Sequence, residues 1–579
     1  MSPTRCPPAR APRFTNAHST GSRRACRGQQ RSAHLLIQKR ARLPAAPEEP
    51  LRTALALSQV RPDLPAQSTM RFESSTTKTQ PWVWAATAAY AVIVSVLSWH
   101  HELWRDEVRA LNIAANSHSP QDLFHLLKNE GHPALWHVLL FVGNHITGSM
   151  RVLKPISVTI AVGAVFVLLR FGRFPAWQKL LIIAGQLPLY EYAVMCRNYG
   201  ISMLLIFAAA SLYRYRFSRP LRFAAILALL ANTNVHSTLV AVAWLVAWLA
   251  EWMPRPRSPE VSASRMAVGV GIVAIGVATC VWVVYPDSTS IVANTQSHTP
   301  AGIWRALIQA LDSPGDIHTS TVGLSQALAV NVLFWLFVAS FLARPWLSLA
   351  VALVGIGLAT FPRLIYPLGL RHSGILVMFC VAAIWMAADA PATSIRFAPL
   401  DRVVKVLERH RSAAFSIFLL MQVTLGVPTI DFDLHHTLSG AAALGHRLKT
   451  DPALSAAIII PEPEPQIEAL PYYCDNPIYL TREGHYMVKI SFTSANAQEN
   501  TLDEILSKGE ELRRTTGRPI VFALGHGLDE NGPYERTTAY GKVFRYSREG
   551  LTKFRSMTTA LGFVGADSGD ENFSLYQLN

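Results

Sequence analysis

The sequence predicts a polytopic α-helical membrane protein, with about 11 transmembrane helices and outer juxtamembrane helices, followed by a C-terminal α/β domain outside the bilayer. Three observations carry this. Of 579 residues, 50% are apolar and 16% are charged, and the apolar ones come in long blocks rather than in alternation. The blocks run about 16 to 25 residues, close to the roughly 20 that a helix needs to cross a hydrocarbon core about 30 Å thick. Charge is segregated: within a net +15, residues 1–69 carry +9 and residues 430–579 carry −6.

Residues 1–69 are rich in Arg, Pro, Ser and Ala, with no apolar run long enough for a signal-peptide core. They predict either a disordered basic tail or sequence upstream of the true start at Met70, which opens MRFESSTTKTQPWVW. A membrane domain is expected over 70–429. Its spans are drawn at 82–99, 152–170, 177–195, 198–214, 220–235, 236–252, 266–285, 323–343, 346–361, 372–388 and 412–429.

A twelfth block, HPALWHVLLFVGNHIT at 132–147, is short and carries His132, His137, Asn144 and His145. If it lies along the surface, the basic loops at 170–173, 214–222, 255–265, 344 and 396–411 all fall on one side of the membrane. If it crosses, the later ones fall on the other side, against the positive-inside rule. An interfacial helix is therefore expected. The N-terminus is then inside, the long outer loops are 100–150 and 286–322, and residues 430–579 lie outside. That last region mixes the β-rich runs AAIII, PIVFAL and FSLYQL with the helical pattern TLDEILSKGEELRR, which predicts an α/β domain. Its acidity and the scattered basic loops give no single basic face, so no nucleic-acid partner is expected. The six cysteines show no C-x-x-C pair or disulfide-like spacing.

Four outer stretches hold ionisable groups. WRDEVRA, 104–110, follows the first span; if it begins a helix, Asp106 and Arg109 share a face and Glu107 points elsewhere. It reads as a solvated helix start with an i,i+3 pair, or as a working carboxylate. NEGHPALW, 129–136, brings Glu130, His132 and Pro133 to the start of the interfacial helix, as a plain turn or as the edge of a site. PLYEYAVMCRNYGISMLL, 188–205, sets Glu191 and Arg197 at or just outside membrane depth, where ionisable groups are costly unless paired or functional. They form a Glu191–Arg197 pair between two spans, or Arg197 binds an anion. FPRLIYPLGLRHSG, 361–374, places Arg363 and Arg371, with His372 alongside, against the positive-inside trend. These are solvated loop arginines or a grip for an anionic headgroup. Gathered at one lipid boundary, the set suits holding a lipid-borne phosphate while a carboxylate accepts a proton.

These motifs carry a resemblance. D-E-x-R after the first span, G-H-P-x-L opening a juxtamembrane helix and R-x-Y at a later outer turn resemble the C-type fold (GT-C) glycosyltransferases, especially the protein mannosyltransferase and aminoarabinose transferase branch. The likeness covers residues 82 to about 215 by motif and the remaining spans by architecture. It implies a hexosyl- or pentosyltransferase that takes a polyprenyl-phosphate-linked sugar and transfers it, usually with inversion, on the outer face of a bacterial inner membrane. The acceptor would be a glycan, a lipid or a protein.

Matched position by position, Asp106 falls on the family's catalytic acidic residue, Glu107 is its neighbour and Arg109 the following basic group. His132 and Pro133 match H-P-P, and Arg197 with Tyr199 match R-x-Y. Ala134 replaces the second proline, and VMC replaces the usual small-residue approach to R-x-Y. The site expected on this basis has Asp106 and Glu107 as catalytic residues. Arg109, Glu130, His132, Glu191, Arg197, Tyr199, Arg363, Arg371 and His372 bind substrate. No cofactor is expected; some relatives use a divalent metal, and this branch is expected to use none. Two other classes stay open: a multi-span transporter, for which NTNVH at 232–236 is the place to look, and a noncatalytic cell-envelope assembly protein.

Overall fold

A computed structural model describes residues 79–255, 262–291, 299–315, 327–532, 534–538 and 541–579. The tail at 1–69, part of the loop 286–322 and the start of the span 323–343 lie outside the described residues. In chain order the first helices are α1 (Pro81–His100), α2 (Arg105–Ala115), α3 (Pro120–Leu126), α4 (Leu135–Thr147), α5 (Leu153–Phe171), α6 (Ala176–Ala184), α7 (Tyr199–Leu212) and α8 (Pro220–Ala231). They are followed by α9 (Val235–Trp252), α10 (Ala263–Val284), α11 (Pro300–Asp312), α12 (Ala327–Ala339), α13 (Pro345–Leu364), α14 (Leu370–Ala387) and α15 (Ala398–His435). Among the described residues, seven helices are long and apolar enough to cross a membrane: α1, α5 with its lead-in turn, α9, α10, α13, α14 and α15.

Four expected spans are shorter as helices. The block 177–195 divides into α6 and a π-turn at Leu187–Glu191, because Gly185 ends the first piece and Pro188 has no N–H to continue a ladder. Block 198–214 yields α7, and block 220–235 stops at Ala231, where Asn232 and Thr233 turn the chain. Block 323–343 is helical over Ala327–Ala339. The last span, expected at 412–429, runs instead over 38 residues, or about 57 Å at 1.5 Å per residue. It therefore extends past the hydrocarbon at both ends.

Helix α4, expected on the surface, has 13 residues and is about 20 Å long, too short to cross. Its Trp136 and Leu140 pack on Val108 and Leu111 of α2, so the two outer helices form one unit. Inside the bundle, association rests on close packing and polar contacts rather than on water exclusion. Gly276 of α10 lies so near α8 that a Cβ there would come within 2.7 Å of Ala228 Cα. Asn232 fastens the same crossing by donating to Gly276 O at 2.8 Å.

The C-terminal region contains α16 (Ala441–Thr450), α17 (Leu470–Tyr473), α18 (Leu502–Thr516) and α19 (Arg548–Met557). Its strands are β1 (Ile458–Glu462), β2 (Tyr479–Leu480), β3 (His485–Tyr486), β4 (Glu499–Thr501), β5 (Ile520–Leu524), β6 (Glu535–Thr537), β7 (Val543–Arg545), β8 (Thr558–Val564) and β9 (Phe573–Leu578). The main sheet has the order β1-β5-β9-β8; β1 and β5 are parallel, with Ile458 opposite Ile520, and the other pairings are antiparallel. A second sheet has the order β4-β7-β6, and β2 and β3 pair as a hairpin. Strands β1 and β5 are buried throughout. Ile458, Ile460 and Phe522 face one core with Leu506 and Phe554, and Ile459 and Val521 face another with Leu444 and Ile467. Cover on both faces is why these runs are continuously apolar rather than alternating.

Candidate active site

The site is built where α1 ends and α2 begins. Trp104 is extended (φ −113°, ψ 173°), and Glu107 reaches back to accept from its backbone N–H at 3.3 Å, closing the first turn. Two carboxylates in that turn also suit the positive end of the helix. Their fates differ. Glu107 is fully buried; Oε1 accepts from Cys196 N at 2.6 Å and Oε2 faces His101 Nε2 at 2.9 Å. Asp106 is the outward one, its side chain 41% exposed, with Oδ2 2.5 Å from Arg197 Nη1. The i,i+3 Asp106–Arg109 pair open in the sequence is not formed, because Arg197 arrives from the turn before α7 and Arg109 is turned the other way.

Arg371, at the start of α14, joins the same place. Its guanidinium lies 5.7 Å from the Trp104 ring, and its Nε is 3.1 Å from Glu191 Oε2. Glu191 is thus paired with Arg371 rather than with Arg197. The π-turn sets this up by bringing Glu191 and Tyr192 inward, and Tyr192 donates to Arg371 O at 2.6 Å. Tyr199 stacks on Tyr192 at 5.7 Å and meets the edge of His372 at 5.6 Å. Beyond them lie two rings that sequence reasoning missed, His236 at 4.7 Å from His372 and Tyr366 at 5.8 Å from it. Both nitrogens of His236, and Trp104 Nε1, are buried without a hydrogen-bond partner among the described residues. Such atoms cost roughly 1–3 kcal/mol each when nothing meets them.

The rest of NTNVH is largely tied into the bundle, although Asn232 Oδ1 is buried without a hydrogen-bond partner among the described residues. Ser202 Oγ meets Thr233, Asn234 and Ser237 at 2.8–2.9 Å, and Asn234 caps α9 through Ser237 N. That polar group is spent on joining α7 to α9.

On the other side of α2, Arg109 makes a two-pronged contact with Glu130, at 2.8 Å for both prongs, and also binds Glu468. It donates to Ile490 O at 2.7 Å and lies over Phe492 at 4.2 Å. Asn129 and Gly131 both take positive φ, 64° and 69°, and this tight turn lets Glu130 face inward. Arg109 and Glu130 therefore sit in a lock between the outer loop and the C-terminal domain. Arg105 adds to it, its backbone N–H donating to Glu571 at 2.8 Å and its side chain pairing with Asp570 at 2.6 Å. Arg363 is engaged elsewhere: it donates to Ala359 O at 2.6 Å and to Ser313 O at 3.2 Å.

Electrostatics separate the groups further. Burial opposes charge on Asp106, but Arg197, with Arg105 and Arg371, outweighs it and holds the carboxyl below its usual range. Burial, reinforced by Arg197, pulls His132 down, so its ring is neutral near pH 7. Its Nδ1 is 2.9 Å from Glu130 O, a group that can only accept, so Nδ1 carries the proton and Nε2 is left as an acceptor.

His101, the first residue beyond α1, is buried with Nδ1 2.9 Å from Asp433 and Nε2 2.9 Å from Glu107. Burial lowers its affinity for a proton, but the two carboxylates win and raise its pKa to about 9. Between its ordinary value and about 9 the folded chain holds a proton that the unfolded chain releases, so stability falls as pH rises through that window. His101→Gln is expected to cost on the order of 3 kcal/mol near pH 6 and to flatten the loss of thermal midpoint above it. A variant with the wild-type slope would remove His101 from this role.

No protein family and no curated protein matches the sequence. Among solved structures, the chain is similar to the crystal structure of ArnT from Cupriavidus metallidurans bound to undecaprenyl phosphate. The identity is 12%, the TM-score is 0.45, and the match covers 86% of this chain and 98% of that one.

Proposed function

We propose that the chain is an integral-membrane glycosyltransferase that moves a hexosyl or pentosyl group from a polyprenyl-phosphate carrier to a glycan, lipid or protein acceptor. The observation that carries this reading is the convergence of one solvent-reachable carboxylate, Asp106, with Arg197 and Arg371 at the lipid boundary. Unpartnered polar atoms on Trp104 and His236 lie beside it. The acceptor's oxygen or nitrogen attacks the anomeric carbon, and its proton passes to the Asp106 carboxylate. The bond from that carbon to the phosphate oxygen breaks, and its electron pair leaves with the polyprenyl phosphate. Arg197 and Arg371 face the charge that develops there. His132, through Nε2, accepts a hydroxyl of the sugar or acceptor. Glu107 positions the turn rather than reacting, since both oxygens are engaged and it is closed to solvent.

The proposed setting is a bacterial inner membrane with Asp106 and the C-terminal domain on the outer face; the basic loops support that orientation. No resident metal takes part in this scheme.

The full chain in proteoliposomes, given labelled polyprenyl-phosphate sugar and a membrane extract as acceptor, is expected to release polyprenyl phosphate with and without a chelator. Arg371→Gln removes a charge-assisted contact and is expected to raise the KM for the donor about 10- to 100-fold. A wild-type chain that consumes no such donor, or an unchanged KM in the variant, would overturn the assignment.

A further inference from the structure

The carboxylate that accepts the proton in the scheme above stands one residue beyond a backbone joint with the C-terminal domain. Arg105 is the first residue of the 11-residue helix α2, so its N–H has no acceptor within the helix. That N–H donates to Glu571 Oε1 at 2.8 Å, and Asp106 is the next residue. Glu107 closes the same turn from inside the helix; Glu571 holds it from another domain, 466 positions away, and is only 1% exposed.

Glu571 is itself held at two more atoms. Its Oε2 accepts from Ser439 Oγ, and its backbone oxygen accepts from Gly440 N at 2.9 Å. A Cβ at residue 440 would come within 2.7 Å of that oxygen, so the close approach requires glycine. The same loop is fastened again at Thr437, whose N–H donates to Asp567 Oδ2 at 2.9 Å and whose carbonyl accepts from Asp567 N at 3.1 Å. Beyond Glu571 the chain enters β9, which is paired with β5 on one side and β8 on the other. Residues 437–440 follow directly on α15. Glu571 therefore ties the start of α2 to a central strand and to the end of a membrane helix.

Charge is not what Glu571 contributes. Arg105 Nη1 lies 2.6 Å from Asp570 and 4.0 Å from Glu571, so Asp570 meets the guanidinium. Burial pushes the Glu571 carboxyl up to about 7. What it supplies is an acceptor at a fixed reach.

We propose that Glu571 is a positioning residue for sugar transfer: by accepting the Arg105 N–H it sets where the Asp106 carboxylate stands, so the C-terminal domain completes the active site. This rests on Asp106 as the proton acceptor. A shift of about 1 Å in a reacting group costs on the order of 100-fold in rate.

The test uses the full chain in proteoliposomes. Glu571→Asp keeps the charge but draws the carboxylate back by one methylene, away from the Arg105 N–H, and is expected to lower kcat about 10- to 100-fold. The KM for the polyprenyl-phosphate sugar should stay within about twofold, since Arg197 and Arg371 are untouched. Glu571→Gln gives up the charge, keeps an acceptor at the same reach, and is expected to keep the wild-type kcat. Glu462→Gln weakens a buried pair in the same domain, where Glu462 and Arg482 bond to each other and to Asn500, Ala497, Gln498 and Val543. It should lower the thermal midpoint and leave kcat unchanged. Hydrogen exchange of the segment 104–110, which needs no substrate, should quicken in Glu571→Asp and in neither of the other two variants. Wild-type kcat or unchanged exchange in Glu571→Asp would overturn the positioning role. So would a Glu571→Gln as slow as Glu571→Asp, or equal kcat losses in Glu571→Asp and Glu462→Gln. A wild type that consumes no donor overturns the glycosyltransferase reading instead, and the exchange result still decides whether Glu571 holds the turn that carries Asp106.

Discussion

Asp106→Asn is expected to lower sugar transfer by about 10²- to 10⁴-fold, the range in which a positioned proton acceptor contributes. The variant keeps the size of the side chain and one oxygen, but that oxygen no longer takes up the acceptor's proton. The fold should hardly notice. The side chain is 41% exposed, so solvent screens it, while its partner Arg197 is 14% exposed, and the ion pair contributes on the order of 1 kcal/mol. Proteoliposomes carrying the variant should therefore show an unchanged thermal midpoint with almost no release of polyprenyl phosphate. The Arg197 contact also sets the pH behaviour, because it holds Asp106 below its usual range and keeps it ionised through neutral pH. Loss of activity on the acid side should begin below the ordinary carboxylate range. Full activity in Asp106→Asn would assign the proton transfer to another group.

Arg109→Leu should give the largest loss of stability, on the order of 3–5 kcal/mol, since it strands the ionised and buried Glu130. Glu130 and Glu468 both rest on Arg109, and among the described residues Lys489, 3.5 Å from Glu130, is the other cation in contact with them. The two carboxyls are not equivalent. Burial opposes charge on Glu130, but the pronged contact with Arg109 wins and keeps it ionised. For Glu468 burial prevails over the pull of Arg109, with Glu130 adding to it, and the pKa rises to about 8. Folding therefore takes up a proton between the ordinary Glu range and about 8, and stability declines as pH rises through that window. Glu468→Gln supplies a permanently uncharged partner, so it should flatten this decline. A Glu468→Gln variant with the wild-type pH slope would remove Glu468 from this role. Transfer should fall in Arg109→Leu as well, because the lock holds the helix that presents Asp106.

Much of the scaffold is written locally. AAIII, PIVFAL and FSLYQL become β1, β5 and β9, and TLDEILSKGEELRR becomes α18, because period and propensity agree there. The shortness of α4 was legible from the length of its apolar run. Span lengths were less so: Gly185 and Pro188 shortened one block by chemistry visible in the sequence, whereas α15 was underestimated because its charged ends leave the hydrocarbon.

Within the candidate site, the motifs name loops that meet in space but not the partners formed there. Asp106, Arg197, Arg371, Tyr199 and His372 converge, while Arg109 and Glu130 turn to the C-terminal domain and Arg363 to backbone oxygens. Trp104, His236 and Tyr366 stand within WRDEVRA, NTNVH and FPRLIYPLGLRHSG but are not singled out by them, since an aromatic or imidazole ring at the end of a span reads as packing. His101, Glu468 and Glu571 were invisible because their partners lie up to 466 positions away.

The sequence by itself determined which segments are apolar enough to enter a membrane, which loops are basic, and which residue types stand at each helix end. These follow from composition and period, which act over one or two turns. Only the tertiary structure decided that Asp106 faces outward to Arg197 while its neighbour Glu107 is sealed against His101 and Cys196. Two adjacent carboxylates have the same intrinsic chemistry, and only the charges and N–H groups delivered by other segments leave one open to solvent and seal the other.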